Sequence, residues 1–331
     1  MTTELDAMVD RARRHPGFTG KSVLALVADV LGSSDGHRGP GDDGAVVDLG
    51  QATAVVGGEA LFPPFVQADP FGAGVAAVVT NVNDLAAMGA RPLGIVDTVT
   101  ATECDARQFL AGLQYAGSLY GVAIVGGHLT VRDGPPSASA FGIGEARRTL
   151  SSCRVAPGQV LLVATCVEGV LRADFPYFSS LQIRGQEVAG DVAVLPYLAE
   201  RGACVAAKDV SMAGLLGSLA MLLEPTRSGA TVDLARIARP AGVEIADWLL
   251  TFPSYSFCLC APEDRADECR GAFSRRGLSC EVAGVLDGSG KLRARLDGEE
   301  ALFCDLRHEA ITGLRWERGG PATRSAQGGG G

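Results

Sequence analysis

Acidic residues beside glycines, at the predicted ends of strands, are the part of this sequence best suited to chemistry. Asp42 and Asp43 form a Gly-Asp-Asp-Gly segment directly before a predicted strand, and Glu59 follows two glycines at the end of the next. Glycine lets a phosphate or metal ion approach the backbone, and carboxylate oxygens are the ligands that Mg²⁺ prefers. The pattern predicts a cation and phosphate site, although a solvated turn is the commoner explanation of one such segment.

Asp84 carries more weight because it lies in a predicted helix that is apolar on nearly every side. Asn81 precedes it by three positions and therefore shares its face of the helix. A carboxylate buried there without a partner would cost several kcal/mol, so something must satisfy it. The pattern leaves two explanations open: a divalent cation, or a structural partner in the form of an ion pair or hydrogen bonds to a neighbouring loop.

Asp209 is a third acidic residue at the end of an element. It closes a predicted strand, stands beside Lys208, and precedes Ser211, the predicted N-cap of an apolar helix. The carboxyl end of a strand next to a helix N-terminus is where α/β proteins often bind ligands. The alternative is an acidic residue that only favours the helix dipole.

Two glycines and a histidine are predicted to end another strand. Gly126 and Gly127 would give a phosphate room to reach the backbone. His128, directly after them, is suited to binding a metal, holding a phosphate or moving a proton. A purely structural histidine is the alternative.

The elements that must position these residues follow from the hydrophobic periodicity. Helical spacing predicts an N-terminal arm, and short β-branched segments after Gly44 predict a hairpin. A long helix between Gly74 and Gly89 precedes alternating strands and helices, and a second such set begins near Pro157. The predicted fold class is α/β (α+β). The predicted regions are a helical arm at 1–35, a first domain at 36–150, a second at 151–310 and a flexible tail at 311–331.

Composition and missing motifs exclude several classes of function. A net charge of −9 with a pI near 5.0 leaves no basic stripe for nucleic acid, so no nucleic-acid partner is expected. The nine cysteines lack CxxC spacing, and no segment has the length and apolarity of a membrane helix; we expect a cytoplasmic protein with reduced thiols and no membrane partner. No P-loop, GxGxxG, HExxH or GxSxG motif is present.

Five segments, taken in order, resemble one known superfamily. They are GDDGAV from residue 41, NVNDLAAMGARP from 81, GVAIVGGHLT from 121, KDVSMAGLLGSLAMLLE from 208 and SGATVDL from 228. The superfamily includes aminoimidazole ribonucleotide (AIR) synthase, thiamine-monophosphate kinase, selenophosphate synthetase and the hydrogenase-maturation dehydratase. The second segment is similar to a signature of the thiamine-phosphate kinases. The resemblance covers about residues 41 to 286.

The resemblance implies a two-domain AIR-synthase-like fold that binds ATP and Mg²⁺ and acts on a small molecule. It implies a mixed N-terminal sheet with helices that pairs in a homodimer through the N-terminal domains, and a C-terminal α/β sandwich domain. The implied metal ligands are Asp42, Asp43, Glu59, Asp84 and Asp209. The candidate nucleotide-binding residues also include Asn81, Gly126, Gly127 and His128. His128 and Lys208 are the candidate catalytic residues, and Ser254 and Tyr255 are candidates on the acceptor side.

Departures from the family motifs leave the acceptor unidentified. Glu59 replaces an aspartate of the thiamine-phosphate kinases, GGHL replaces their GGDT, and residues 252–257, FPSYSF, replace an acidic segment. The predicted function is therefore phosphoryl transfer to, or phosphate-activated ligation of, an unidentified small molecule by a kinase or synthetase. Two alternatives stay open: a nucleotide-binding scaffold without turnover, and a Mg²⁺-dependent phosphatase.

Overall fold

The structure, a computed structural model, describes residues 3–32, 41–173 and 175–314. Of the predicted tail, residues 315–331 lie outside the described part of the chain, and so do residues 1–2 and 33–35 of the predicted arm. The arm contains a 3-10 turn (Gly20–Leu24) and three helices. The helices are α1 (Glu4–Arg13), α2 (Pro16–Thr19) and α3 (Ala25–Leu31).

Helix α1 packs on the second domain of its own chain. Thr3 and Asp6 close a capping box at its N-terminus, and Leu5 and Val9 are buried in the core of that domain. The sequence pattern could not say whether the arm packs on its own chain or on a partner. In the structure α1 packs on its own chain, whereas Leu26 and Val30 of α3 are exposed.

The first domain contains a five-stranded sheet in the order β1-β2-β5-β3-β4, in which only β3 and β4 are parallel among the described strands. Its strands are β1 (Ala45–Asp48), β2 (Thr53–Ala60), β3 (Arg91–Ala101), β4 (Ala123–Val131) and β5 (Ser137–Ala146). The β1-β2 hairpin confirms the prediction. The predicted stop after Gly126 and Gly127 is wrong, because β4 continues through both glycines to Val131.

Helices cover one face of this sheet and leave the other exposed. They are α4 (Pro63–Ala68), α5 (Pro70–Ala87) and α6 (Glu103–Tyr120). Apolar side chains on the uncovered face, Val56, Val96, Phe141 and Ile143, are all exposed. They lie side by side, since Val56 pairs with Ile143 and Phe141 pairs with Val96.

Two glycines bring α5 and α6 into backbone contact. A Cβ at Gly74 would lie 2.0 Å from the carbonyl oxygen of Phe109, and a Cβ at Gly112 would lie 2.1 Å from that of Phe71. Any larger residue would therefore separate the two helices. This contact fixes the position of α5, which carries Asp84.

The second domain combines a seven-stranded sheet with a small three-stranded one. Its strands are β6 (Val160–Thr165), β7 (Val170–Leu171), β8 (Tyr177–Ser179), β9 (Ala206–Asp209), β10 (Gly229–Asp233), β11 (Phe252–Pro253), β12 (Ser256–Ala261), β13 (Ser279–Asp287), β14 (Lys291–Leu296) and β15 (Glu299–Asp305). Among the described residues, the large sheet has the order β15-β14-β10-β13-β6-β12-β9 and the small one the order β11-β8-β7. All neighbours in the large sheet are antiparallel except β10 and β14.

The helices of the second domain pack on its large sheet and on the first domain. They are α7 (Leu181–Arg184), α8 (Glu187–Val192), α9 (Val194–Glu200), α10 (Gly214–Leu223), α11 (Ile245–Trp248) and α12 (Ala266–Ser274). The prediction that Ser211 caps α10 is wrong: the helix begins at Gly214 after Ala213, which makes no side-chain cap. One apolar core runs from Val78 and Phe109 of the first domain to Leu195 and Phe257 of the second. The domain interface is therefore packed.

A buried carboxylate ties the last described residues to α10. Glu224 accepts hydrogen bonds from the backbone N–H groups of Ile311, Thr312 and Gly313 and from the Thr312 hydroxyl. Four donors on one side chain satisfy its charge in place of a cation.

We expect Glu224→Gln to lower the free energy of unfolding by about 2 kcal/mol, because the new amide group points its hydrogens at these donors. Chemical denaturation of the full chain measures the change. Glu263→Gln, at an exposed residue, is the control and should change stability by less than about 0.5 kcal/mol. Equal losses in the two variants would contradict the assigned role of Glu224.

Among the residues that the structure describes, no helix is both long enough and apolar enough to cross a membrane.

Candidate functional site: an acidic cluster between the domains

Three aspartates from distant parts of the chain meet in one group. Asp43, Asp84 and Asp209 each offer a carboxylate oxygen, and these oxygens lie within 4.8 Å of one another. Two oxygens on opposite sides of a Mg²⁺ ion would be about 4.2 Å apart, at roughly 2.1 Å from the metal. The spacing is therefore close to that of shared ligands. We call Asp43, Asp84 and Asp209 the acidic cluster.

The fold explains how these three side chains meet. Asp43 precedes β1, Asp84 lies in the last turn of α5, and Asp209 ends β9 of the second domain. Gly57 of β2 lies between two of them, since a Cβ there would be 3.3 Å from the Asp43 carbonyl oxygen and 3.9 Å from the Asp84 Cβ. The acidic cluster therefore bridges the domain interface.

Lys208 is the cation of the cluster. Its ammonium group forms an ion pair with Asp43 and lies 3.4 Å from an Asp209 oxygen. The Asp209 backbone N–H also donates to Asp43 at 3.3 Å. Although burial alone would lower the pKa of Lys208, the carboxylates of Asp43 and Asp209 raise it above its usual value. Lys208 is therefore held charged.

Glu59 and Lys21 extend the group at its edge. Desolvation raises the pKa of Glu59, and Asp209 adds repulsion, while Lys21 and Lys208 act in the opposite direction. Lys21, on the 3-10 turn of the arm, also lies close enough to lower the pKa of Asp209. Lys21 is far along the chain from most of the acidic segments, so no sequence motif indicates its place beside Glu59 and Asp209.

The cluster holds more negative than positive charge. Burial raises the pKa of Asp84 well above its usual range, and Asp209 and Asp43 raise it further by repulsion. Such a carboxyl prefers to be neutral unless additional positive charge arrives. Together with Glu59, the cluster has four carboxyl groups against the ammonium groups of Lys208 and Lys21.

The donor chemistry fits a hard divalent cation. Carboxylate oxygens are Mg²⁺ ligands, and the cluster contains no thiolate or imidazole that would favour a softer metal. On the same helix, the Oδ1 atoms of Asn81 and Asn83 are buried and have no hydrogen-bond partner among the described residues. Asn81, one turn before Asp84, therefore has an acceptor oxygen to spare beside the cluster.

Asp42, the neighbour of Asp43, points elsewhere. Its carboxylate accepts hydrogen bonds from the Ser151 hydroxyl at 2.6 Å and from the Ser152 backbone N–H at 3.0 Å. It thereby anchors the start of the second domain. The structure therefore does not bring Asp42 into the acidic cluster with Asp43, and its predicted role as a metal ligand stays a prediction.

Gly126, Gly127 and His128 lie on the opposite edge of the sheet from the hairpin. One row of paired residues runs from Glu59 through Ala140 and Asp97 to Gly127, a span of three strands or about 14 Å. The structure therefore does not bring these three residues to the acidic cluster of the same chain. A Cβ at Gly127 would lie 2.5 Å from an Asp97 oxygen, so Asp97 explains this glycine without a phosphate.

Ser254 and Tyr255, predicted on the acceptor side, are 1% and 3% exposed. The Ser254 hydroxyl pairs with the Ser180 hydroxyl at 2.8 Å, and the Tyr255 hydroxyl donates to the Asp191 carbonyl at 2.8 Å. Both hydroxyl groups therefore have buried hydrogen-bond partners. Their acceptor-side role stays a prediction, and Phe252 is the residue beside them that lines a cavity.

Two family models match the chain in the regions that build the acidic cluster. The one described as "AIR synthase related protein, N-terminal domain" matches residues 41–146, and the one described as its "C-terminal domain" matches residues 186–297. The first match contains Asp43 and Asp84, and the second contains Asp209. This chain belongs to the AIR synthase related family.

Relatives of this family member include a protein named as a dikinase. A protein of Synechocystis sp. described as uncharacterised is 34% identical over 83% of this chain and 86% of its own length. A selenide, water dikinase of Myxococcus xanthus is 29% identical over 67% of this chain and 68% of its own length. The sequence relationship thus establishes the family and leaves the acceptor open.

Solved structures show the same fold. PurL of Thermotoga maritima in complex with ADP superimposes with a TM-score of 0.75 at 18% identity, over 95% of this chain and 52% of PurL. AaThiL in complex with AMPPCP and TMP gives a TM-score of 0.64 at 16% identity, over 84% of this chain and 93% of AaThiL. This AIR synthase related chain therefore spans about half the length of the PurL chain that it resembles.

Proposed function

We propose that this protein binds ATP with Mg²⁺ at the acidic cluster and transfers the terminal phosphoryl group to a small molecule, as a kinase or as a phosphate-activating synthetase. The observation that carries the proposal is the convergence of Asp43, Asp84 and Asp209 from two domains within 4.8 Å. A relative named as a selenide, water dikinase and structures of the same fold with bound nucleotides support the proposal.

The chain's own residues would act mainly by position and charge. Asp43, Asp84 and Asp209 would hold Mg²⁺, which when bound neutralises phosphate oxygens during transfer. Lys208 keeps Asp43 and Asp209 in place and adds positive charge beside the phosphates. Lys21, carried by the arm, contributes a second positive charge at the open edge of the site.

The proposal includes a homodimer formed through the first domains. Its support is the exposed apolar face of the five-stranded sheet, which carries Val56, Val96, Phe141 and Ile143. Large apolar side chains grouped on one uncovered face are typical of protein interfaces. Gly126, Gly127 and His128 lie on the edge strand of that sheet, so their proposed contact with nucleotide would require the partner subunit.

Binding of the non-hydrolysable analogue AMPPCP tests the proposed function. We expect the affinity measured by calorimetry to rise by about tenfold or more when MgCl₂ replaces EDTA, because nucleotide binding without the cation leaves the carboxylates unopposed. Equal affinity in the two buffers would contradict it. Steady-state ADP release with added acceptors then separates turnover from a silent scaffold, and hydrolysis of p-nitrophenyl phosphate without nucleotide would favour a phosphatase.

A further inference from the structure

An aromatic-lined cavity of about 340 Å³ lies between the two domains, outside the acidic cluster. The N-terminal half of α5 forms one side, and β8, α7 and β11 of the second domain contribute to the other. Pockets for small molecules have volumes of about 300 to 1,000 Å³ and often occur at domain interfaces. The volume lies at the small end of that range and has room for a ring system.

Aromatic rings make up much of the lining. Phe175 lies parallel to Phe65 with ring centres 6.5 Å apart and meets Phe252 edge to face at 5.2 Å. Phe71 and Tyr115, from α5 and α6, form a second group at 5.8 Å. Phe71, Tyr115 and Phe175 stay 41%, 39% and 37% exposed, so each keeps ring surface available to a ligand.

The charges on the lining favour a neutral ligand. Arg172 is paired with Asp69 at 3.1 Å, so its guanidinium does not call for an anion. The remaining polar groups near the rings include the exposed side chain of Gln182 and the hydroxyl of Tyr177. A planar ring with few polar substituents would bury its faces against these side chains at little desolvation cost.

Helix α5 connects this cavity to the acidic cluster. Ala76 lines the cavity, and Asp84 lies eight residues later, a rise of about 12 Å along the helix. Asn83 is nearly two full turns after Ala76 and therefore on its side of the helix, and its amide donates to the Ser254 carbonyl at 3.0 Å. Thr80 stands four residues after Ala76 and four before Asp84, and all three positions are half-buried, so one partly exposed stripe of α5 runs from the cavity toward the cluster.

We propose that this cavity binds the neutral aromatic ring of the phosphoryl acceptor, an elongated molecule whose reacting group reaches the acidic cluster about 12 Å away. This inference rests on the proposed function for its statement that the ligand is the acceptor. The chemical class of the ring follows from the cavity itself. The adenine of the nucleotide and a second copy of the chain are the competing occupants.

Saturation-transfer NMR on the full chain tests the inference with 2-phenylethanol and its saturated counterpart 2-cyclohexylethanol. We expect 2-phenylethanol to bind about threefold or more tightly than the saturated alcohol, because only the aromatic ring gains ring-to-ring contacts. Ala76→Leu should weaken it about fivefold or more by filling the cavity. The control Ala111→Leu, an exposed position on α6 outside this cavity, should leave binding unchanged.

Several results would overturn the inference. Three of them would show that no specific ring site exists: no saturation transfer to 2-phenylethanol with the wild type, equal binding of the two alcohols, or binding that Ala76→Leu leaves unchanged. Two would favour a competing occupant: displacement of 2-phenylethanol by AMPPCP with MgCl₂, or loss of its signal as the chain self-associates. If Ala76→Leu melts early, Phe252→Leu replaces it, since this variant removes a ring and keeps apolar volume.

The two proposals can fail separately. Asp84→Asn should retain 2-phenylethanol binding, and Ala76→Leu should retain Mg²⁺-dependent AMPPCP binding. Ring binding in a wild-type protein that binds no nucleotide would overturn the proposed function and with it the assignment of the ligand as acceptor, while the aromatic specificity of the cavity would stand. Nucleotide binding without ring binding would overturn the inference alone.

Discussion

Asp84→Asn is expected to weaken Mg²⁺-dependent AMPPCP binding by about 100-fold or more, measured by calorimetry with excess MgCl₂. The amide keeps the shape of the side chain but removes the negative charge at the centre of the acidic cluster. Substitutions that only touch a metal ligand's partner typically cost about 10- to 100-fold in affinity, so loss of a direct ligand should cost at least as much as the upper end of that range.

Asp42→Asn is the matched control, because this neighbour of Asp43 carries the same group and binds Ser151 and Ser152 instead. It should lower stability while AMPPCP affinity at saturating MgCl₂ stays within about threefold of the wild type. A loss of affinity as large as that of Asp84→Asn would show that Asp42 belongs to the cation site after all. Unchanged binding in Asp84→Asn would remove the metal-ligand assignment.

Lys208→Met should lower the free energy of unfolding of the metal-free protein by about 3 kcal/mol, the usual cost of removing one partner of a buried ion pair. Asp43 and Asp209 would then face each other and Asp84 without a buried cation. Excess MgCl₂ should recover part of the loss, because a divalent ion can replace the missing charge. Chemical denaturation with and without MgCl₂ measures both effects.

Lys21→Met serves as the control for Lys208→Met. Lys21 is another cation near the cluster, but it lies on the arm and takes no part in the buried ion pair. The cost should stay below about 1 kcal/mol. If Lys208→Met were no less stable than Lys21→Met, or if MgCl₂ deepened its loss, Lys208 would not be the counter-charge of the acidic cluster.

Local patterns predicted most of the elements around the site. The β-branched hairpin, the apolar helix that carries Asp84 and the strand that ends at Asp209 all occur where periodicity placed them. Their signals are local, because alternation and helical spacing involve neighbouring residues. The start of α10 was wrong because Gly214, at a φ of +69°, begins the helix against Leu249, a contact from a distant segment.

The side chains of the site were harder to predict than its elements. Asp42 and Asp43 are adjacent and chemically identical, and only contacts with Ser151 on one side and Lys208 on the other separate their roles. Those partners lie more than a hundred residues away. His128, like Glu59, follows two glycines in sequence, yet strand order places it three strands from Glu59. The ligand set remains a prediction until binding is measured.

The paired glycines of α5 and α6 determine where Asp84 points. A helix that slipped by one residue would turn this carboxylate by about 100°, out of reach of Asp43 and Asp209. Gly74, ten positions earlier, permits no such slip, since its Cα rests against the backbone of the neighbouring helix. The affinity of the proposed cation site would thus depend on two residues that have no side chain. A larger residue at Gly74 or Gly112 would shift Asp84 and lower this affinity without contacting any of the proposed ligands.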